Sequence, residues 1–279
     1  MELSWRCKAP KIDMMKTCTS YGVILVRNVA DPYKSRDQIF NHTRLESLLV
    51  KGRCSYEFLE FVAANKAKKS LHVYKTLLSQ MYVHELTCIM SLNFDFMWYH
   101  AWLGTNKNKD MYLQQKLRFI EYWMEDGGKI LISLIKSITP ITKNMRIEFP
   151  KGRMKNREET ELECACREVK EETGIDSSKY TIIPELVKVV TFIQLNVRYI
   201  YKYFVGIMKV IEPIKLNFND ILQISEISDI QWMAFDQIRK IDKRRRLERI
   251  ISPIFEYLSS SLSRNFIKPY IYELDEKSE

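Results

Sequence analysis

One stretch of the chain constrains the fold more than any other, residues 152–175, which read GRMKNREETELECACREVKEETGI. Thr160 and Glu163 have the spacing of an N-terminal capping box, and Gly174 is typical of a helix C-terminus. The stretch therefore predicts a loop that leads into a short acidic helix. A helical period gives this helix one apolar face, which we expect to be buried, made of Leu162, Ala165, Cys166, Val169 and Thr173.

A second face of the same helix carries carboxylates. Glu168, Glu171 and Glu172 stand at i, i+3 and i+4, so their side chains are neighbours and repel each other. A cation would relieve this repulsion, and several hard oxygen ligands suit Mg²⁺ or Mn²⁺. The alternative is an acidic face that only water solvates.

The stretch resembles the Nudix box, G-x5-E-x7-R-E-U-x-E-E-x-G-U, in which U is aliphatic. The residues that match are Glu159, Arg167, Glu168, Val169, Glu171, Glu172, Gly174 and Ile175. Gly152 lies one position further upstream than the pattern requires, which gives G-x6-E. The resemblance implies an α/β fold, the α/β/α Nudix sandwich with a mixed sheet, and a pyrophosphohydrolase that depends on a divalent metal ion.

Other segments extend the resemblance over residues 20–260. They are FDFMWYHAWL (94–103), GGKILISLI (127–135), EFPKGR (148–153) and EISDIQW (226–232). With them the chain is similar to the mRNA-decapping Nudix hydrolases of large cytoplasmic DNA viruses, the African swine fever virus type, also described as diphosphoinositol polyphosphate phosphohydrolases. In that family a helical domain interrupts the Nudix fold near its start.

The composition and periodicity of one segment predict such an interruption. Residues 56–137 contain no proline, and apolar-periodic segments at 56–65, 71–92, 111–125 and 130–137 predict helices. We therefore predict a discontinuous Nudix domain at 18–55 and 138–265, an all-α insertion at 56–137 that binds RNA, a basic arm at 1–17 and a tail at 266–279.

Within the Nudix domain, β-branched and alternating segments predict the strands. Segments 21–29 and 45–53 are expected to form a hairpin. Further segments are predicted to be strands at 145–149, 181–188, 197–210 and 226–232, followed by a helix at 245–262.

The resemblance implies roles for individual residues. Glu168 and Glu172 are the foremost metal ligands, followed by Glu171, Glu159 and the Gly152 carbonyl, and Glu168 is alternatively the catalytic base. Arg167 is expected to orient Glu159 or Glu171 through a charge-assisted pair, the alternative being a surface ion pair. Glu226 resembles the catalytic glutamate outside the box, preceded by a flexible loop at 217–225, although an ordinary exposed carboxylate at a strand start is the alternative.

Basic residues are the candidate substrate contacts. Lys151, Arg153 and Lys155 flank the box glycine and are expected to face the phosphates, or else to be solvated. A phosphate backbone is expected to follow Lys66, Lys68, Lys69, Lys116, Arg244, Arg245, Arg246 and Arg249. The aromatic run 94–102 fits either base stacking or helix packing, and packing is favoured for most of its rings.

Charge and composition limit the kinds of partner that the protein can have. The net charge of +9 points to a polyanion, although it also serves solubility. The predicted substrate is capped mRNA, with diphosphoinositol polyphosphate or a free nucleotide as alternatives, and a catalytically weak cap- or RNA-binding protein as the alternative of another class. Six cysteines without metal-binding spacing favour reduced thiols in a cytoplasmic setting, the host-cell cytoplasm for a viral protein. No apolar segment has the length of a membrane span.

Overall fold

The computed structural model describes residues 16–28, 45–63, 70–105, 109–140, 146–194, 197–209, 213–242, 245–260 and 274–276. Its strands are β1 (Lys16–Asn28), β2 (Leu45–Gly52), β3 (Ile147–Glu148), β4 (Lys151–Gly152), β5 (Tyr180–Gln194), β6 (Val197–Met208), β7 (Ile227–Ala234) and β8 (Leu274–Glu276). Its α-helices are α1 (Tyr56–Val62), α2 (Leu71–Ser79), α3 (Val83–Met90), α4 (Phe94–Trp102), α5 (Tyr112–Trp123), α6 (Lys129–Lys136), α7 (Glu161–Thr173), α8 (Ile221–Glu226), α9 (Phe235–Ile241) and α10 (Arg246–Ser259).

The strands form one mixed sheet in the order β3-β2-β1-β6-β5-β8, while β4 pairs with β1 and β7 pairs with β2. The predicted hairpin is confirmed, because β1 and β2 are antiparallel with Val26 opposite Ser47. β1 starts earlier than predicted, since Lys16 already pairs in parallel with Val197 of β6. Residues 16 and 17 therefore belong to the sheet and not to the predicted arm, whose residues 1–15 lie outside the described part of the chain.

Alternation along β1 supplies both cores of the sandwich. Val23 and Leu25 pack on one face with Ala165 and Val169 of α7. On the other face, the neighbouring strand residues pack against α10, in a cluster that includes Ile24, Val26, Ile251 and Phe255. One helix therefore covers each face, which gives the predicted α/β/α arrangement.

The segment predicted as an all-α insertion consists of helices α1 to α6, which share a core of their own. Its fully buried members include Phe58, Leu78, Met81, Ile89, Met97 and Leu131. One boundary differs from the prediction: the segment 71–92 is two helices, because the chain turns at Gln80–Tyr82. The Glu85 carboxylate holds this turn, accepting hydrogen bonds from the Tyr82 amide at 2.9 Å and the Ser55 amide at 2.7 Å.

The aromatic run 94–102 is helix α4, and its rings divide between core and surface. Phe94 and Trp102 are buried in the helical core, and Trp98 packs against it. Phe96 and Tyr99 remain 50% and 58% exposed. Packing therefore accounts for most of these rings, as favoured from the sequence.

The last third of the chain departs from the prediction at three places. Part of the segment predicted as a loop, 217–225, is helix α8, capped by Asp220, whose side chain accepts hydrogen bonds from the amides of Leu222 and Gln223. Helix α9 was not predicted. Residues 274–276, in the segment predicted as a tail, pair in parallel with β5 at the sheet edge.

Candidate active site

Helix α7 has the ends that its sequence predicts. The Thr160 hydroxyl accepts a hydrogen bond from the Glu163 amide at 3.2 Å, and the Glu163 carboxylate accepts one from the Thr160 amide at 2.8 Å. This reciprocal cap satisfies two amides that the first turn leaves unpaired. At the other end Gly174 has φ 74°, a left-handed conformation that favours glycine.

The buried face of α7 is rotated relative to the prediction. Ala165, Val169 and Thr173 are buried as expected, but Leu162 is 38% exposed, so the prediction was wrong there. Glu168 and Glu172 are each only 8% exposed. The rotation arises because α7 packs against β4 as well as β1, so the side of the helix that carries these acids is covered by the strand.

Gly152 lies directly against one of these acids. β4 pairs with β1, and Gly152 stands opposite Tyr21 in the sheet. A Cβ atom at Gly152 would lie 2.1 Å from the Glu168 carboxyl carbon and 2.2 Å from one of its oxygens. The position therefore needs glycine because the Glu168 carboxylate occupies the space of a side chain.

Glu172 is held by the neighbouring backbone. Its carboxylate accepts a hydrogen bond from the Lys151 amide at 3.3 Å, and its carbonyl accepts one from the Gln223 side chain at 3.2 Å. Burial raises the pKa of Glu172 well above its usual value; the charge of Lys151 opposes this rise, and nearby acids, including Glu226, add to it.

Glu168 has the same electrostatic character. Burial raises the pKa of Glu168, a hydrogen bond from Arg167 opposes the rise, and the charges of Glu171 and Glu226 add to it. Glu226, the last residue of α8, thus acts electrostatically on both buried acids of α7. The fold therefore places Glu226 close enough for its charge to act on the two buried carboxylates of α7.

Arg167 connects three carboxylates of the box. Its Nε donates to Glu159 at 2.6 Å, and its Nη1 donates to Glu168 at 2.6 Å and to Glu171 at 2.9 Å. The fork is completed by Nη2, which donates to the Arg153 carbonyl at 2.9 Å. The pairings predicted with Glu159 and Glu171 are both present, and the hydrogen bond from Arg167 is the main reason that the pKa of Glu159 falls to about 2.

The extra residue between Gly152 and Glu159 is accommodated in a folded loop. The Asn156 side chain accepts hydrogen bonds from the amides of Glu158 and Glu159 at 3.0 and 2.9 Å. The Lys155 amide donates to the Glu159 carboxylate at 2.8 Å. The longer loop therefore still delivers Glu159 to Arg167.

We predict that Arg167→Lys lowers the kcat of the reaction at this site by about tenfold to a hundredfold. This is the range for losing a residue that orients metal-binding side chains. A single ammonium cannot reproduce a fork that contacts Glu159, Glu168 and Glu171 together. Steady-state kinetics checks this, and Lys170→Arg, an exposed change on the same helix, is the control. Equal kcat for Arg167→Lys and the unchanged protein would contradict the positioning role.

The three predicted phosphate contacts have different surroundings. Lys151 is buried, and its ammonium lies 2.5 Å from a Glu148 oxygen and 3.0 Å from the Tyr56 hydroxyl. This inward direction differs from the expectation that Lys151 faces phosphate from the surface. Arg153 is exposed, and Lys155 is exposed while pairing with Glu171 at 2.6 Å.

The predicted RNA contacts are only partly within the described chain. Lys66, Lys68, Lys69 and Arg244 lie outside it. Lys116 pairs with Asp95 at 2.8 Å and lies beside Tyr112. The exposed arginines at the start of α10 are Arg245, Arg246 and Arg249.

An ion-pair cluster around Glu148 was not predicted from the sequence. Glu148 pairs with Arg146 at 2.8 Å as well as with Lys151, and the Arg146 guanidinium lies 3.6 Å from the Tyr56 ring centre. Arg146 and Lys151 hold the pKa of Glu148 at about 2 against its burial. Glu148 stands in the segment EFPKGR, which could have suggested it, whereas nothing in the sequence marked Tyr56.

The carboxylates of this site suit a hard divalent cation. Within the described residues, no three His, Cys, Asp or Glu side chains converge as a preformed metal site. Glu168 and Glu171 are instead engaged by Arg167, and Glu172 by the Lys151 amide. Because the donors are oxygens and the two buried acids repel each other, a divalent ion fits the site by replacing hydrogen bonds that they now accept.

Comparison with known proteins decides the family. Residues 120–254 match the model of the NUDIX domain. The mRNA-decapping protein g5R of African swine fever virus (isolate Warthog/Namibia/Wart80/1980) is 34% identical over 240 residues, which cover 82% of this chain and 92% of that protein. The chain belongs to the Nudix family. The resemblance to the viral decapping enzymes and the predicted fold class are thereby confirmed, and this family consists of hydrolases that depend on divalent metal ions.

Two further similarities accompany this Nudix assignment. A protein of Acanthamoeba polyphaga mimivirus is 27% identical over 265 residues, 83% of this chain and 73% of that protein. The crystal structure of a C. elegans Ap4A hydrolase binary complex is similar with a TM-score of 0.43 and 12% identity, over 86% of this chain and 97% of that one. In the part of the chain that the structure describes, no helix is both long and apolar enough to cross a membrane.

Proposed function

We propose that this Nudix hydrolase removes the cap from mRNA, hydrolysing within the cap triphosphate and releasing methylated guanosine diphosphate and 5′-monophosphate RNA. One observation carries the proposal: Glu168, which packs against Gly152, and Glu172 are buried carboxylates on which the charge of Glu226 acts, in a chain 34% identical to viral decapping proteins over most of its length. We place the activity in the cytoplasm, that of the host cell for a virus.

Glu168 and Glu172 are the proposed ligands of the metal ion, Mg²⁺ or Mn²⁺, with Glu171, Glu159 and the Gly152 carbonyl as further candidates. When bound, such an ion neutralises phosphate oxygens and acidifies a water molecule. Arg167 holds Glu159, Glu168 and Glu171 in place before substrate arrives. The buried acids have raised pKa values, so they bind a cation at the cost of a proton, and metal affinity is expected to rise with pH.

Glu226 is the proposed general base. It ends the short helix α8, and its carbonyl accepts a hydrogen bond from the Arg53 amide at 2.8 Å, which fixes the backbone at this point. Its charge acts on both buried acids, which supports a role in taking the proton of the attacking water. Arg153 and Lys155, which are exposed on the loop after Gly152, are the proposed phosphate contacts, and Lys151 supports the strand that carries the glycine.

The remaining surface is proposed to bind the RNA body. We propose that residues 56–137 form a separate domain for this purpose, since these helices have their own core and bring Tyr56 next to Lys151. Arg245, Arg246 and Arg249 extend the basic surface on α10. A bare cap needs little of this surface, whereas a long RNA uses all of it.

The length of the RNA therefore provides the test. We expect the efficiency of decapping, measured with cap-labelled RNAs of increasing length, to rise with length and to exceed that of the bare cap dinucleotide. Uncapped RNA should inhibit decapping. The logarithm of the RNA-binding constant should fall linearly with the logarithm of the salt concentration, with a slope of about −0.7 for each phosphate contacted. The Glu172→Gln variant, purified in the same way, is the control for decapping activity from contaminating proteins.

Two results would overturn the proposal. Cleavage of a diphosphoinositol polyphosphate or of the dinucleotide as efficient as that of long capped RNA would show that capped RNA is not the preferred substrate. Binding of capped RNA without metal-dependent product release at catalytic enzyme concentration would show a cap- or RNA-binding protein of another class.

A further inference from the structure

A cross-strand aromatic pair lies on the sheet between the box loop and α10. Phe192 of β5 and Tyr199 of β6 are directly opposite in the antiparallel register. Their ring centres are 5.2 Å apart and their planes differ by only 15°. Neither ring is fully buried. The two rings therefore stack on each other, so that each has one face turned away from its partner; we call this pair the aromatic platform.

Other groups brace this platform from below. Tyr201 meets Phe192 edge-on, with ring centres 5.1 Å apart. The Lys151 ammonium lies 4.8 Å from the Tyr201 ring centre, and the Lys151 amide bonds to Glu172. An unbroken series of contacts therefore connects the platform to a proposed metal ligand.

Charged residues lie near the platform. The Arg246 guanidinium lies 5.2 Å from the Phe192 ring centre, on the α10 side. Burial is the main cause of the raised pKa of Tyr199; the charge of Glu60 on α1 raises this pKa further, and the charge of Arg153, on the loop after Gly152, opposes the rise. The platform therefore has an arginine against Phe192, while charges of both signs act on Tyr199.

We propose that the aromatic platform binds a nucleotide of the RNA body next to the cap, with the base stacked on Tyr199 and its phosphates between Arg153 and Arg246. Aromatic side chains beside a basic groove are the usual means of holding single-stranded nucleic acid. The positively charged methylated guanine of the cap suits this place less well, because the flanking arginines repel it. The inference rests on the proposed function, since it assigns a place to part of the same substrate.

The test compares variants of Tyr199 in the full-length protein. Tyr199→Val removes the ring but keeps a residue that favours a strand, whereas Tyr199→Phe keeps the ring. We expect Tyr199→Val to weaken binding of uncapped 5′-monophosphate RNA, measured by fluorescence anisotropy, by about tenfold, the effect of losing one stacked base. Tyr199→Phe is expected to restore most of the affinity, and thermal unfolding checks that both variants are folded.

A second variant addresses the phosphate side. Arg246→Gln should reduce the salt dependence of RNA binding by about one phosphate contact, a change in slope of about 0.7. A Tyr199→Val protein that binds uncapped RNA as the unchanged protein does would overturn the inference. The inference would also be overturned if Tyr199→Val lost only its inhibition by methylated guanosine diphosphate and bound uncapped RNA normally. That result would place the cap base on the platform instead.

Failure of this inference is distinguishable from failure of the proposed function. If the unchanged protein decaps RNA and Tyr199→Val still binds RNA normally, only the platform assignment is wrong. If the unchanged protein releases no product from capped RNA, the proposed function is wrong, whatever the Tyr199 variants do to RNA binding.

Discussion

Replacing Glu172 with Gln is expected to reduce decapping by about a hundredfold to ten-thousandfold at saturating Mn²⁺, and Glu168→Gln by a similar factor. Each change keeps the shape of a side chain that is 8% exposed but removes the charge proposed to bind the metal. The measurement is single-turnover release of labelled cap product. Glu163→Gln, in the capping box of the same helix, is the control for general effects on α7.

Glu172→Gln is also expected to change the thermal stability of the protein. The pKa of Glu172 in the folded protein lies well above its usual value, so between these two pKa values the folded state binds more protons than the unfolded state. The stability of the folded protein therefore falls as the pH rises from the usual pKa to the raised one. Glu172→Gln removes this term, so we expect a higher Tm at neutral pH without metal and a smaller rise of Tm when Mn²⁺ is added. Near-normal turnover in both the Glu168 and Glu172 variants would remove the proposed metal site.

Gly152→Ala is expected to inactivate the enzyme while leaving it folded, with a loss of about a hundredfold or more, comparable to misplacement of a catalytic group. The added methyl group would lie 2.1 Å from the Glu168 carboxyl carbon, so the carboxylate must move away. The backbone of Gly152 needs no left-handed φ, so the effect is steric and local to the site.

A matched glycine of the sheet separates this effect from general damage. At Gly52 a new Cβ would meet the end of the Arg146 side chain at 2.6 Å, so the clash falls on the Arg146–Glu148 pair and not on Glu168 itself. We expect Gly52→Ala to retain much more activity than Gly152→Ala, with unfolding curves recorded for both. Equal kcat values for Gly152→Ala and the unchanged protein would show that Glu168 need not occupy this position.

Local sequence determined the helix at the centre of this protein. The capping box at Thr160 and Glu163 and the terminal Gly174 specify its two ends through contacts between residues at most four positions apart. The helical period also places Arg167 beside Glu171, a pairing that needs no information about the rest of the chain. The family resemblance then provided the sandwich and the roles of its carboxylates.

Tertiary structure alone decided how that helix is buried. The pattern of apolar residues favoured Leu162 as part of the buried face, whereas packing against β4 buries Glu168 and Glu172 and leaves Leu162 exposed. Periodicity orders residues around a helix but contains no information about which strand will cover them. A covering strand can bury charge where hydrogen bonds and charge partners compensate its desolvation.

The surroundings of Lys151 show the same limit. From the sequence, a lysine beside the box glycine points to phosphate, but the fold turns it inward to Glu148 and to Tyr56, which is 95 positions away in the chain. Likewise β1 extends to Lys16 only because Val197 of β6 lies beside it. The sequence by itself determined the chemistry and local shape of the box, while contacts between distant segments decided which of its charges are buried, because burial depends on neighbours that local patterns do not specify.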